Sequence, residues 1–254
     1  MRSVFCSLVF LGLSLVFLPT LSAKEIQCEG EYPGHLQGFA SDGEFIFWSF
    51  TTWLVQTDLE GKIVKKIPVP THYGDCCVVD GKLYVSVALG WPAKEVTHWT
   101  FVHDCKTLEL LEKIPMEQGG DGITFHDGFF YIAQKPATQT PDENIVRKMT
   151  RDFKVVERFT VPGKTTYGIQ AFAWANGFFW AGRYSSEKTA QCSPDFKVQT
   201  SQPIDVSTGV YEIPPTEKGE PRIMVGVNRR NPETKMNTGA ARPAVLRDGK
   251  LVWE

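Results

Sequence analysis

The chain has 254 residues, 27 basic and 29 acidic, for a formal net charge of −2. With 42% hydrophobic and 12% aromatic residues it has the material for one sizeable core, which excludes a disordered chain. The near-neutral balance also excludes a nucleic-acid protein, which needs a basic stripe to neutralise phosphates.

The first element is a leader. Met1 to Ala23 reads as a secretory signal peptide, with Arg2 as the positive start, an apolar run from Val4 to Leu18, and a small residue at Ala23. The expected location is secreted or periplasmic. Residues 24–254 are then one domain. No later apolar run approaches the roughly 18 residues of a spanning helix, so no membrane span is expected.

A repeat organises the remainder. Each copy runs from a polar segment through a short apolar run to an Asp/Asn-Gly turn and an aromatic run. His35-Leu36-Gln37-Gly38 leads to Asp42-Gly43 and Phe45-Ile46-Phe47-Trp48. His72-Tyr73-Gly74-Asp75 leads to Asp80-Gly81 and Leu83-Tyr84-Val85. Gly120-Asp121-Gly122 leads to Asp127-Gly128 and Phe129 to Ile132; Tyr167-Gly168-Ile169-Gln170 leads to Asn176-Gly177 and Phe178-Phe179-Trp180. The fifth copy is looser: Thr208 to Ile213, then Lys218-Gly219, then Arg222 to Val225.

The turn glycines lie 38 to 49 residues apart, within the range of stacked or radial repeats. Asp-Gly and Asn-Gly between β-rich runs are strong hairpin signals, because a type I′ turn needs positive φ at both central residues. Each copy is read with a second hairpin, marked by turns near Glu60-Gly61, Asp152, Asp195 and Asp248-Gly249 in copies 1, 3, 4 and 5. Four antiparallel strands in each of five copies predict an all-β, five-bladed β-propeller. The blades are expected near 35–70, 71–117, 118–163, 164–206 and 207–254. The competing architecture is a β-sandwich or barrel of hairpins. Helical propensity at Thr107 to Ile114 yields to the repeat, which makes that segment strand. Glu25 to Glu29 is expected beside the last strand, Lys250 to Trp253, or beside blade 1, closing the ring.

Cys28, Cys76, Cys77, Cys105 and Cys192 remain after the leader, an odd number. Cys76 and Cys105 fall on strands two spacings apart, too far for a bridge, and Cys76 and Cys77 point to opposite faces. Small buried hydrophobes describe them best. No zinc-finger spacing is present.

In a propeller the innermost strand of each blade lines the central channel. The repeat therefore gathers distant positions at one mouth: His35, Gln37, His72, Asp75, Asp121, Tyr167, Gln170, Tyr211 and Glu212. Buried charge is costly unless it is paired, so this convergence points to a site. Asp75, Asp121 and Glu212 are the candidate catalytic carboxylates, with burial and crowding able to split their pKa values. His35, Gln37, His72, Tyr167, Gln170 and Arg183 are the candidate ligand-binding residues. The aromatics Tyr73, Trp91, Trp99, Tyr167 and Tyr184 are candidate stacking platforms. His35 and His72 with Asp75 or Gln37 have the chemistry of a metal site, but a metal-free, solvated channel is preferred. The cofactor stays open, as does whether the channel holds a metal. The polar insertions Leu89 to Val96, Lys135 to Asn144 and Asn231 to Asn237 read as solvated loops. His98, His103 and His126 read as ordinary surface or turn residues. The face occupied by Arg183, Arg229 and Arg230 stays open.

These segments, with Trp48-Ser49-Phe50-Thr51-Thr52 and Asp58-Leu59-Glu60-Gly61-Lys62, resemble secreted bacterial β-propeller proteins of uncharacterised function. A more distant similarity is to the five-bladed glutaminyl cyclases, on Gln37-Gly38 and Asp75. That resemblance implies Asp75 as a proton shuttle positioned by Gln37. Two departures stand: Asp121-Gly122 replaces a Trp-Gly mouth, and Gly168-Ile169-Gln170-Ala171 replaces an Asn-Glu-Leu-Glu motif. The expectation is an exported monomer that binds a small molecule or saccharide at the channel mouth. The alternative is an enzyme using the channel carboxylates, for glutaminyl-cyclase-like acyl transfer or glycoside hydrolysis.

Overall fold

The computed structural model describes residues 24–91, 95–185 and 187–254. The leader read at Met1 to Ala23 lies outside them. The described chain is all β, in five antiparallel sheets arranged as a five-bladed propeller.

Blade 1 comprises Leu36–Ser41, Ile46–Phe50, Trp53–Thr57 and Ile63–Pro68, paired in that order. Blade 2 comprises Tyr73–Val79, Lys82–Leu89, Thr97–Asp104 and Leu110–Pro115. Blade 3 comprises Gly119–His126, Phe129–Gln134, Glu143–Met149 and Val155–Pro162. Blade 4 comprises Ile169–Ala175, Phe178–Arg183, Thr189–Cys192 and Gln199–Gln202. Blade 5 has Val210–Ile213, Arg222–Arg230 and Asn237–Arg247. Its outer position is shared by both ends of the described chain. Lys250–Trp253 pairs with one half of Asn237–Arg247, and Ile26–Gln27 pairs with the other half. The N-terminal strand therefore continues the line of the last strand instead of lying beside it. It also reaches blade 1, where Glu29 bonds both Gly61 and Ile63.

The turn chemistry is local. Asp80-Gly81, Asp127-Gly128, Asn176-Gly177 and Asp248-Gly249 all have positive φ at both residues, as type I′ turns require. Asp42-Gly43 differs. Only Gly43 has positive φ, and the Asp42 carboxylate caps Glu44 N and Phe45 N in a longer turn. In the outer hairpins Leu108, Phe153 and Phe196 take the left-handed conformation that glycine takes at Gly61. Each drives an apolar side chain between blades, and that burial offsets the backbone cost.

Inner strands are buried on both faces, and outer strands alternate towards solvent. Between blades the gaps are filled by aromatic stacks, among them Phe172, Phe179 and Phe196. A buried aromatic contributes on the order of 2–3 kcal/mol over its exposed state. Trp48 meets its one polar need by donating Nε1–H to Thr57 Oγ1 at 2.9 Å. All five described cysteines are free thiols. Cys76 and Cys77 pack into different inter-blade clusters. Cys105 falls in the turn after the third strand of blade 2, one residue beyond its expected place on that strand.

Candidate functional site

The first strand of each blade runs down the channel, and the second returns to the same mouth. Blades 1 to 4 share a device near the start of the inner strand. The pairing slips between Leu36 and Gly38, Tyr73 and Cys76, Gly119 and Ile123, and Ile169 and Ala171. These bulges hold Gln37, Asp75, Asp121 and Gln170. A bulge re-aims a side chain that a regular ladder would send to a blade face. The inner strand of blade 5 pairs without a slip.

At the mouth lies a pocket of about 130 Å³, lined by His35, Gln37, His72, Asp121, Tyr167 and Gln170. Ala88, Trp91, Lys135 and Tyr184 complete it. Six expected site residues thus come together. Gln37 is 2% exposed, and its amide nitrogen donates to His35 Nε2 at 2.8 Å and to His72 Nε2 at 2.7 Å. With a donor on Nε2, each ring carries its own proton on Nδ1. Burial pushes the His35 pKa down, and burial with the nearby Lys135 charge takes His72 to about 4. Both rings are therefore neutral at pH 7.

Asp121 accepts from Gln170 Nε2 at 3.3 Å. Burial raises its carboxyl above the usual range, opposed by Lys135, His98 and His35. Trp91 forms one wall, edge-on to His72 at 6.4 Å and to Tyr167 at 5.8 Å. The Lys135 ammonium sits 5.0 Å from the centre of the Trp91 ring. Tyr167 has φ of 67°, a strained conformation for a non-glycine residue, of the kind that recurs at binding sites.

Asp75 is elsewhere. It is 2% exposed and sits deeper in the channel, where Oδ2 accepts Phe172 N at 2.8 Å and Ile123 N at 3.2 Å. Burial pushes its carboxyl up to about 8 against the pull of those backbone donors. Gly38 leaves room for this carboxylate, because a Cβ there would strike the Asp75 side chain and backbone. Asp75 pins three inner strands together and contributes no surface to the mouth pocket.

Glu212 and Tyr211 line the opposite opening, a cavity of about 540 Å³ that Asp75 also lines, with Ser41, Thr124 and Trp174. Glu212 Oε2 accepts Asn176 N at 2.6 Å. The fifth copy is out of register with the others: Gly209 lies against Gly38 and Phe39, so Glu212 falls near the lower hairpin. Arg183 is 1% exposed and also leaves the ligand-binding set. It lies at the mouth end of blade 4, level with Ile169, but donates to Pro162 O and Glu187 O and ties blade 4 to blade 3. Arg229 pairs with Glu25, and Arg230 reaches a cavity that also touches His35 and His72. All three arginines therefore belong to the mouth end.

Tyr73 is buried and meets His103 Nε2 at 3.0 Å, so neither is a surface group. Trp99 packs on the core between blades 1 and 2. His126 stacks on Trp174 at 3.6 Å, and His98 is half-buried near Lys135 and Asp121. Lys135 was legible only as the start of a loop. Trp91, Lys135 and Tyr184 each follow the second strand of their blade, and the return of that strand to the mouth is the signal that marks them. Among the described residues no group of three or more His, Cys, Asp or Glu is placed to hold a metal ion.

No protein-family model and no curated protein matches the chain. Solved structures share its fold. A protein of unknown function from Bacteroides caccae superposes with a TM-score of 0.52 at 14% identity, over 89% of this chain and 81% of that one. A DUF4623 family protein from Bacteroides eggerthii gives 0.52 at 13%, over 86% and 56%. The xylan β-1,4-xylosidase of Bacillus halodurans gives 0.58 at 11%, over 88% and 55%. This chain spans little more than half the length of the last two. At these identities the likeness is one of fold: β-propellers, including proteins of unknown function. These structures lend nothing to the glutaminyl-cyclase resemblance.

Proposed function

We propose that this chain is an exported β-propeller that binds a small polar molecule, a single saccharide ring in the first instance, at its channel mouth. One observation carries the reading. Three aromatic side chains, Trp91 from blade 2 and Tyr167 and Tyr184 from blade 4, close around two amides, a carboxylate and a lysine. An apolar wall with a few convergent polar groups is the usual construction of a small-molecule site. The volume of about 130 Å³ is below that of drug-sized sites and favours a ligand of one ring. One structural neighbour is named a xylosidase, which agrees with a saccharide but supports the fold alone. No helix among the described residues is long and apolar enough to cross a membrane.

The enzymatic reading has less support. Glycoside hydrolysis of the common kind uses two carboxylates flanking one bond. Asp75 and Glu212 both line the cavity of the opposite opening, where each carboxylate is engaged by backbone N–H donors, and Asp121 is the one carboxylate of the mouth pocket. Calorimetric titration of the purified protein with a panel of monosaccharides tests binding. Trp91→Ala and Gln170→Ala are each expected to weaken the best ligand tenfold or more. Unchanged affinity in both variants would overturn the site. Asp121→Asn separates the two readings: an enzyme loses turnover and keeps affinity, whereas a binder shows no turnover before or after.

A further inference from the structure

The mouth pocket is the narrow centre of a longer cleft. A cavity of about 420 Å³ between blades 4 and 5 shares His35 and Tyr184 with it. On the other side, a cavity of about 440 Å³ shares His35, His72 and Trp91. Three cavities joined through the same side chains make one trough across the mouth face. One end is walled by Trp253, which is 38% exposed on the outer strand of blade 5. Its ring already carries the Arg242 guanidinium at 4.5 Å, and the exposed remainder of the indole offers a second apolar contact remote from Trp91.

The charge of the trough runs against that of the chain. The whole sequence is at −2. The charged residues of the three cavities are Lys135, Lys188, Arg230 and Lys235 against Asp121 and Asp205. None of the four cations forms an ion pair within 4 Å among the described residues. Lys235 Nζ donates to Pro232 O, and Arg230 Nε to Lys235 O, so both rest on carbonyls, and Arg230 also borders a cavity with Glu31 and Glu233 at the rim of the trough. They and Lys188 lie outside the pocket that holds one ring. Cations spaced along a trough suit a ligand with repeated negative charge and not a single anion.

Resting on the reading of the mouth as a saccharide pocket, we infer that the physiological ligand is a segment of an acidic polysaccharide lying across the mouth face. One sugar unit occupies the pocket beside Trp91 and Asp121. Neighbouring carboxylated units extend towards Lys188 and Trp253 on one side, and towards Arg230 and Lys235 on the other.

Calorimetry with oligogalacturonates of one, three and six units, beside xylo-oligosaccharides of the same lengths, tests this. The expected result is a tenfold or larger gain in affinity from one unit to six for the acidic series. The acidic hexamer is expected to exceed the neutral one, by a margin that shrinks as salt rises. Lys188→Met with Arg230→Met is expected to flatten the length dependence of the acidic series, and Trp253→Ala to reduce it in both. Affinity independent of length, or an equal preference for the neutral hexamer, overturns the polysaccharide assignment and leaves the single-ring pocket standing. Absence of binding to every saccharide, single units included, removes the pocket reading itself.

Discussion

Asp75 Oδ2 accepts the backbone N–H of Phe172 at 2.8 Å, a bond across the channel between blades 2 and 4. The same oxygen takes Ile123 N from blade 3. A residue whose type and position suggest an acid catalyst is thus an internal fastener. Asp75→Ala leaves two buried N–H groups without a partner, at roughly 1–3 kcal/mol each. Asp75→Asn keeps an acceptor oxygen and is expected to cost less. Urea unfolding measures both. The pH dependence has a definite sign. The native carboxyl holds its proton up to about 8, whereas the unfolded chain releases it near the ordinary value of 3.8. Its contribution is complete at low pH and is lost as pH rises from about 4 to 8. Asp75→Asn is expected to remove that slope.

The Gln37 amide between two neutral imidazoles gives a second prediction. His72 titrates at about 4 in the folded protein, below its unfolded value of 6.5. Acid therefore favours the unfolded chain, and stability falls as pH drops from about 6.5 to 4. Gln37→Glu places a carboxylate against both Nε2 atoms and is expected to raise both histidine pKa values. Nuclear magnetic resonance titration of the ring protons reads this directly. A His72 pKa that stays at about 4 in Gln37→Glu would refute the contact.

Arg183 offers a separation of stability from binding. Its buried guanidinium serves Pro162 O and Glu187 O and does not line the pocket. Arg183→Met is expected to lower stability by about 1–3 kcal/mol, since it removes the charged hydrogen bonds from a buried guanidinium to Pro162 O and Glu187 O. Ligand affinity at a temperature where the variant is folded is expected to stay within twofold of the parent protein.

The N-terminal strand is worth a direct measurement. Tyr32 is 2% exposed, stacks on Phe50 at 4.1 Å, and donates its hydroxyl to Glu29 O at 2.7 Å. Tyr32→Ala is expected to cost about 3 kcal/mol in urea unfolding. The loss would show that the segment before blade 1 belongs to the folded unit.

Much of the ring was legible because its signals are local. Asp80-Gly81 or Asn176-Gly177 is a turn by its own backbone preferences, and the apolar runs on either side follow. Gln37, Asp121 and Gln170 were legible through the repeat, since one register places all three at the mouth. Glu212 was misplaced because the fifth copy has a short inner strand with no bulge, so its register cannot be carried over from the others. Arg183 was misread because residue type does not say whether a guanidinium meets ligand or carbonyls. Lys135 was missed because its position depends on where the second strand ends, and a loop boundary carries no such mark in sequence.

The outer edge of Asn237–Arg247 is completed by strands from opposite ends of the described chain, with Gln27 donating to Gly239 O across 212 residues of sequence. Closing so long a loop costs entropy before any contact rewards it. Blades 1 to 4 draw their strands from continuous stretches of chain, but the fifth needs its partner from far away. Assembly is thus expected to end with a latch: four blades form, the circle stays open, and the last seam joins when Ile26 finds Ala241. Hydrogen exchange would see that seam as the first place to open and the last to be protected.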